Sequence, residues 1–214
     1  VKNSGTEAII NLLEARINVL EKSMMNSLST SIYSDGTGTS GKEVGGLQLI
    51  VADAGTGTVG GINSSTYTFW QNAQTTATSS AFSVANVQTD MNTIYLSLVR
   101  GADSPDLVMA GTNAYTAFLG SLQAIQRITS DDLANSGFTS LQYLNSDVVF
   151  DSACNTNRMY FLNTDYLRLE VAASRDFVPG EAKMSVNQDA MVTPMFWSGN
   201  LTCSNRALQG VIHT

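Results

Sequence analysis

Apolar side chains at Ile9, Leu13, Ile17, Leu20, Met24 and Leu28 recur at steps of 4, 4, 3, 4 and 4. That spacing places them on one face of an α-helix. Ser4 followed by Glu7 forms a capping-box start, and Asp35-Gly36 a stop, so the pattern predicts a helix over residues 6 to about 33. At 1.5 Å per residue it would be roughly 40 Å long, well beyond the usual globular length. Such a length suits a scaffold spanning the subunit better than an ordinary core helix.

The pattern then changes. Residues 35–46 are a Gly/Ser/Thr loop, and the apolar run 47–52 reads as a strand or a buried turn. A glycine-rich stretch over 54–63 leads into the aromatic cluster Tyr67, Phe69 and Trp70, and residues 71–83 read as polar and irregular. Val87, Met91, Ile94 and Leu98 mark a helix over about 84–99. Leu107 to Ala110 reads as a short buried strand. A third helix, capped by Thr112 or Asn113 and running to about residue 127, turns Tyr115, Leu119, Leu122 and Ile125 inward. Candidate strands follow over 139–144, 147–150, 158–162, 167–172, 190–197 and 200–209. Turns are expected at Ser104-Pro105-Asp106, Asn163-Thr164-Asp165 and Val178-Pro179-Gly180. A long helix, then helices around a strand, then strands make an α+β fold rather than an alternating parallel sheet.

Composition sharpens this picture. The chain has 214 residues, enough for a core without staples. It is 43% apolar but only 14% charged, so much of its polar surface is Ser, Thr, Asn, Gln and Gly. An uncharged surface dehydrates more cheaply than a charged one and suits extensive subunit contacts, although a merely polar surface has the same composition. The net charge of -7 and the lack of a Lys/Arg run argue against binding nucleic acid by neutralising phosphates, sequence-specifically or otherwise. No apolar run is long enough to span a membrane, and no signal peptide opens the chain. Cys154 and Cys203 lack metal spacing and read as reduced thiols of a cytosolic protein, although the sequence leaves a pairing between them open.

Candidate chemistry is sparse. Gly55-x-Gly57-x-x-Gly60 matches the dinucleotide fingerprint and follows a strand-like run. The fingerprint needs a helix N-terminus for the pyrophosphate and an acidic residue about 20 positions on. Residues 61–66 are poor helix sequence, and no Asp or Glu stands at the required distance, so a tightly turning or flexible glycine loop is the better reading. His213, the sole histidine, stands beside the C-terminal residue, where fraying is expected, which leaves a Ser-His-Asp or Cys-His system without its base. The carboxylate pairs Asp131-Asp132, Asp103 with Asp106, and Glu181 with Asp189 have no distinctive context. Asn63 and Asn200 begin glycosylation patterns that mean little without a secretory signal. The sequence therefore assigns no catalytic, cofactor-binding or metal-binding residue, and the chain is expected not to be an enzyme.

The string Gly60-Gly61-Ile62-Asn63-Ser64-Ser65-Thr66-Tyr67-Thr68-Phe69-Trp70-Gln71-Asn72 resembles a segment of many major capsid proteins of tailed bacteriophages. Three later segments are similar too: Pro105 to Ala110, Met159 to Thr164, and Pro194 to Leu201 near Asn205-Arg206. Together they cover most of the chain in order. The resemblance implies a Hong Kong 97-type fold, with a long N-terminal spine helix, a peripheral domain and an inserted axial domain of helices packed on a mixed β-sheet. Residues 1–81 would carry the spine helix and the first peripheral part, 82–183 the axial domain, and 184–214 the return to the peripheral domain. The N-terminal arm and extended loop that precede the spine helix in that family are expected to be absent from this stretch. The implied function is a structural one. Copies would self-assemble into pentamers and hexamers of an icosahedral phage or prophage head enclosing DNA. Scaffold, portal and decoration proteins would be partners, assembly would take place in the host cytoplasm, and the virion would be the final location. A tail, adhesin or surface-layer subunit, or a nucleotide-binding enzyme using the Gly55–Gly60 loop, are the alternatives.

Overall fold

In a computed structural model of the chain, the structure describes residues 6–126, 141–184 and 191–214. Helix α1 runs over Thr6–Ile32, as its periodicity predicts; the Ser4 cap lies outside the described residues. Gly36, with φ of +72°, marks the stop. Two helical turns follow, α2 (Gly38–Gly41) and α3 (Leu47–Ile50). The run at 47–52 is thus a buried turn. Gly46 lets α3 start hard against the end of α1, since a Cβ there would lie 2.2 Å from the Ile32 carbonyl oxygen.

A small hairpin, β1 (Thr58–Val59) with β2 (Ile62–Asn63), precedes β3 (Ala73–Thr76). Helix α4 (Val87–Leu98), strand β4 (Leu107–Ala110) and helix α5 (Thr112–Gln126) come next. Strands β5 (Leu141–Tyr143), β6 (Ser146–Phe150), β7 (Arg158–Leu162) and β8 (Leu167–Val171) follow. The chain ends with β9 (Val178–Pro179), β10 (Lys183–Met184), β11 (Met191–Val192), β12 (Met195–Phe196), β13 (Gly199–Cys203) and β14 (Gly210–His213).

The core is a six-stranded mixed sheet in the order β3-β14-β7-β4-β6-β5. The β3–β14 and β4–β6 pairs are parallel and the others antiparallel. Both faces of its centre are covered, which explains the unbroken apolar run of β7. Met159 and Phe161 point to one face, where α4 supplies Val87, Met91, Ile94 and Leu98, and α5 supplies Ala114, Ala117 and Phe118. Tyr160 and Leu162 point to the other, packed with Tyr33, Leu47, Ile50 and Val51. One carboxylate is buried in the first face. Asp90, in the first turn of α4, accepts hydrogen bonds from the Thr78 backbone N–H (3.1 Å) and hydroxyl (2.6 Å). The helix dipole at that end favours its negative charge.

Several sequence expectations need correction. Residues 71–83 are not irregular throughout, because 73–76 form edge strand β3 against the C-terminal strand β14. The inward face of α5 is Ala114, Ala117, Phe118 and Ser121; Tyr115, Leu119 and Leu122 are half-buried, and the Ile125 side chain lies outside the described residues. Small residues face inward there because the helix sits close to the sheet. Val178-Pro179 is a strand paired with β12, not a turn. The strand expected over 190–197 is two short ones, β11 and β12. Pro194 lies between them and lacks the N–H a ladder needs. The strand expected over 200–209 is likewise broken, by a 3₁₀ turn at Arg206–Leu208.

Outside the core sheet, β8–β13, β9–β12 and β10–β11 are three successive antiparallel pairs of one two-stranded ribbon. A groove lined by Met24 and Leu28 of α1 and by Phe177, Phe196 and Trp197 of the ribbon separates the two.

Candidate functional site

The glycine-rich segment is built as a turn, not as a phosphate cradle. Gly60 and Gly61 both have positive φ (+61° and +79°), as the two-residue loop joining Val59 to Ile62 requires. No helix N-terminus follows. The chain passes into β2 and then a 3₁₀ turn at Thr68–Trp70. The helix N-terminus that the fingerprint requires is missing, so the loop does not support the nucleotide reading and is the glycine turn that the sequence suggests.

What fills the loop is Arg206, whose side chain is fully buried. Its Nε donates to the Ile50 carbonyl. Nη1 donates to Ser64 Oγ (3.0 Å) and the Trp70 carbonyl (3.4 Å), and Nη2 to the Thr56 carbonyl (3.2 Å). Every acceptor is neutral. Burial lowers the pKa of the guanidinium from its ordinary value, the nearby Cys203 opposing this. A fixed fork of five donors matches several carbonyls at once, which a lysine cannot do. Arg206 therefore ties the hairpin loop to α3 and to the strand β14 that follows.

Three further polar side chains of this loop, Ser64, Trp70 and Gln71, also turn inward. Ser64 N–H and Oγ–H donate to the Gly57 carbonyl (3.1 and 3.0 Å), Trp70 Nε1 to the Val59 carbonyl (3.2 Å), and Gln71 Nε2 to the Ser64 carbonyl (3.1 Å). Left outside are Tyr67 and Phe69, 53% and 68% exposed, with ring centroids 6.0 Å apart.

The other candidate groups are scattered and structurally committed. His213 is not frayed: it lies in β14, paired to Thr76 and Arg158, with Nε2 3.3 Å from Gln74 Oε1. Asp103 accepts from the Tyr166 hydroxyl (3.2 Å), and Asp106 from the Thr164 N–H (2.7 Å) and hydroxyl. Asp131, Asp132 and Asp189 lie outside the described residues. Cys154 and Cys203 are unbonded to one another. Burial raises the Cys154 thiol to about 12, helped by the Asp151 charge, and burial raises Cys203 as well. Both are poor nucleophiles near neutral pH. The Tyr33 hydroxyl, 2.7 Å from Asp151 Oδ2, is pushed up by burial and by that hydrogen bond. Among the described residues, no three His, Cys, Asp or Glu side chains converge as a metal-binding set. No helix among them is long and apolar enough to cross a membrane.

The surface is where the chain is unusual. Ile17 and Leu20, on the apolar stripe of α1, are 40% and 39% exposed, and Val19 and Met25 are more exposed still. The stripe that sequence periodicity suggests for a core is thus largely uncovered over residues 14–20. Leu96 on α4, Val149 and Phe150 on β6, and Leu169, Met184 and Val192 on the ribbon are also exposed. Scattered exposed apolar residues are ordinary, but an uncovered helix stripe beside an open-edged ribbon calls for a partner.

No protein-family model matches the chain, and no curated protein sequence matches it. Solved structures do. The chain aligns with one from the Cyanophage A-1(L) capsid asymmetric unit at a TM-score of 0.65 and 16% identity, over 96% of this chain and 69% of that one. The chain has a viral capsid-type fold. A virus-like particle from Pyrococcus furiosus also matches, at a TM-score of 0.40 and 10% identity over 59% of this chain and 48% of that one, too low to carry weight. The capsid-type fold accounts for the layout described above, a mixed α+β core sheet with a helix and a ribbon extending from it.

Proposed function

We propose that the protein is a shell-forming structural subunit, a major capsid protein of a tailed phage or prophage head, and not an enzyme. The observation that carries the reading is the uncovered apolar stripe of α1 in a chain with a capsid-type fold. At about 25 cal/mol per Å², burying such a stripe against neighbours is a driving force that one subunit leaves unused. The low charge of the surface keeps the dehydration cost of wide contacts small.

In this reading the fold is of the Hong Kong 97 type and α1 is its spine helix. Residues 1–81 and 184–214 belong to the peripheral domain and 82–183 to the axial insertion, with the antiparallel β14–β7 pair joining the two. Copies meet through heterologous contacts whose rotation closes into pentamers and hexamers. These tile an icosahedral head enclosing DNA, assembled in the host cytoplasm and ending in the virion. Scaffold, portal and decoration proteins are the expected further partners. The net charge of -7 fits a container that encloses DNA without gripping it.

Size-exclusion chromatography and negative-stain microscopy of the concentrated protein test the reading. Capsomer rings or closed particles are the expected result. A chain that stays monomeric across salt, crowding agent and added scaffold would overturn it.

A further inference from the structure

We infer that Tyr67 and Phe69 of one copy seat in the apolar trough beneath β8 and β13 of a neighbouring copy. The inference rests on the shell-subunit reading above and names one contact within it.

Four observations carry it. First, the loop is preorganised: its glycine turn, the inward hydrogen bonds of Ser64, Trp70 and Gln71, and the buried Arg206 fix its shape. Rings held on a rigid base lose little entropy on docking. Second, no charged residue occurs between Asp53 and Asp90, so the rings sit in a surface that sheds water cheaply. Third, the chain carries an apolar trough that shares no residue with the loop. It is a trough of about 220 Å³ lined by Ile32, Leu107, Met109, Leu162, Leu169 and Leu201. Arg168 also lies on its lining, and a guanidinium can stack on an aromatic ring.

The fourth observation selects the occupant. With 53% and 68% of their surfaces exposed, the two rings offer about 240 Å², taking ~200 Å² for each aromatic side chain. A stable two-protein complex needs about 800 Å² from each partner. The pair cannot hold a separate soluble partner alone. It suits a second copy already engaged through other surfaces, such as the α1 stripe. Knob and trough lie on different surfaces of one chain, so the contact is heterologous and propagates from copy to copy.

The test pairs Thr68→Cys, exposed between the two rings, with Leu169→Cys in a Cys203→Ser background, where the remaining Cys154 is buried. Particles are oxidised and run on non-reducing denaturing gels. The expected result is a ladder of dimers, trimers and larger species from the double-cysteine chain, and none from either single cysteine. A second variant, Tyr67→Ala with Phe69→Ala, should melt as the wild-type subunit does yet form particles at least tenfold less efficiently. Particles that form without a ladder, dimers from Thr68→Cys alone, or wild-type yield from the alanine variant overturn the contact while leaving the shell reading intact. Failure of the wild-type chain to assemble overturns the shell reading itself.

Discussion

Replacing Arg206 with methionine keeps an unbranched chain in the space but removes every donor. The Ile50, Thr56 and Trp70 carbonyls and Ser64 Oγ then lose their guanidinium partner. A buried acceptor left unmade costs ~1–3 kcal/mol, so the three carbonyls alone cost ~3–9 kcal/mol. Against this stands the relief of no longer burying a cation that has no carboxylate beside it, worth several kcal/mol. The net expectation is a loss of ~2–4 kcal/mol. In a chain of 214 residues, each kcal/mol moves the melting temperature ~2–4 °C, so Arg206→Met should melt roughly 5–15 °C lower. Arg206→Lys should melt lower still. It keeps the desolvation cost but has a compact ammonium that cannot span acceptors contributed by four separate positions. Thermal unfolding by circular dichroism at one fixed subunit concentration measures both, and limited proteolysis at 54–66 reports whether the loop has loosened. Methionine within 2 °C of wild type, or lysine above methionine, would show that the guanidinium does not hold this loop.

Other parts of the structure give sharper contrasts between folding and assembly. Ile17→Gln with Leu20→Gln, on the uncovered stripe of α1, should change subunit stability by no more than ~0.5 kcal/mol and abolish particle formation, as chromatography and microscopy would reveal. A large drop in melting temperature would instead mean that the stripe is covered within the subunit. Gly46→Ala should cost ~1–3 kcal/mol, because its Cβ would meet the Ile32 carbonyl oxygen at 2.2 Å; denaturant titration with an unchanged midpoint would refute the tight approach of α3 to α1. Cys154 has its thiol raised to about 12 in the fold, against about 9 for an ordinary thiol, so the native state holds that proton more tightly than the unfolded one. Its contribution is therefore complete below pH 9 and is lost as pH rises toward 12. Stability should fall above pH 9, and Cys154→Ala should remove up to about 1.4 kcal/mol per pH unit of that slope; identical slopes in the two proteins would count against the buried, protonated thiol.

Some features of the fold could be read directly from residue order. The helix periods at α1 and α4 are local facts, because a 3.6-residue turn fixes which side chains share a face. The run Met159 to Leu162 was legible as a strand, and its lack of a polar alternate set fits the burial on both sides that the structure shows. The sequence after Gly60 also excluded a phosphate-binding helix, because Ile62 to Thr66 lacks helix-forming residues.

Three things waited for the tertiary structure. Strand β3 was illegible because Ala73 to Thr76 is a half-exposed edge whose burial comes from pairing with β14, at the far end of the chain. Nothing in the sequence marked Arg206 as a buried residue. Its acceptors lie 136 to 156 positions away, and no local pattern encodes a buried site assembled over that distance. The apolar stripe of α1 was legible as a stripe but not as an uncovered one. Periodicity states which side chains prefer to leave water, and says nothing of whether the same chain or another copy will cover them. The sequence determined that this protein has a long amphipathic helix and an apolar strand over 158–162. Only the packing decided that Ile17 and Leu20 of the helix stripe and the aromatic loop face outward, because that depends on where six strands and two helices leave room.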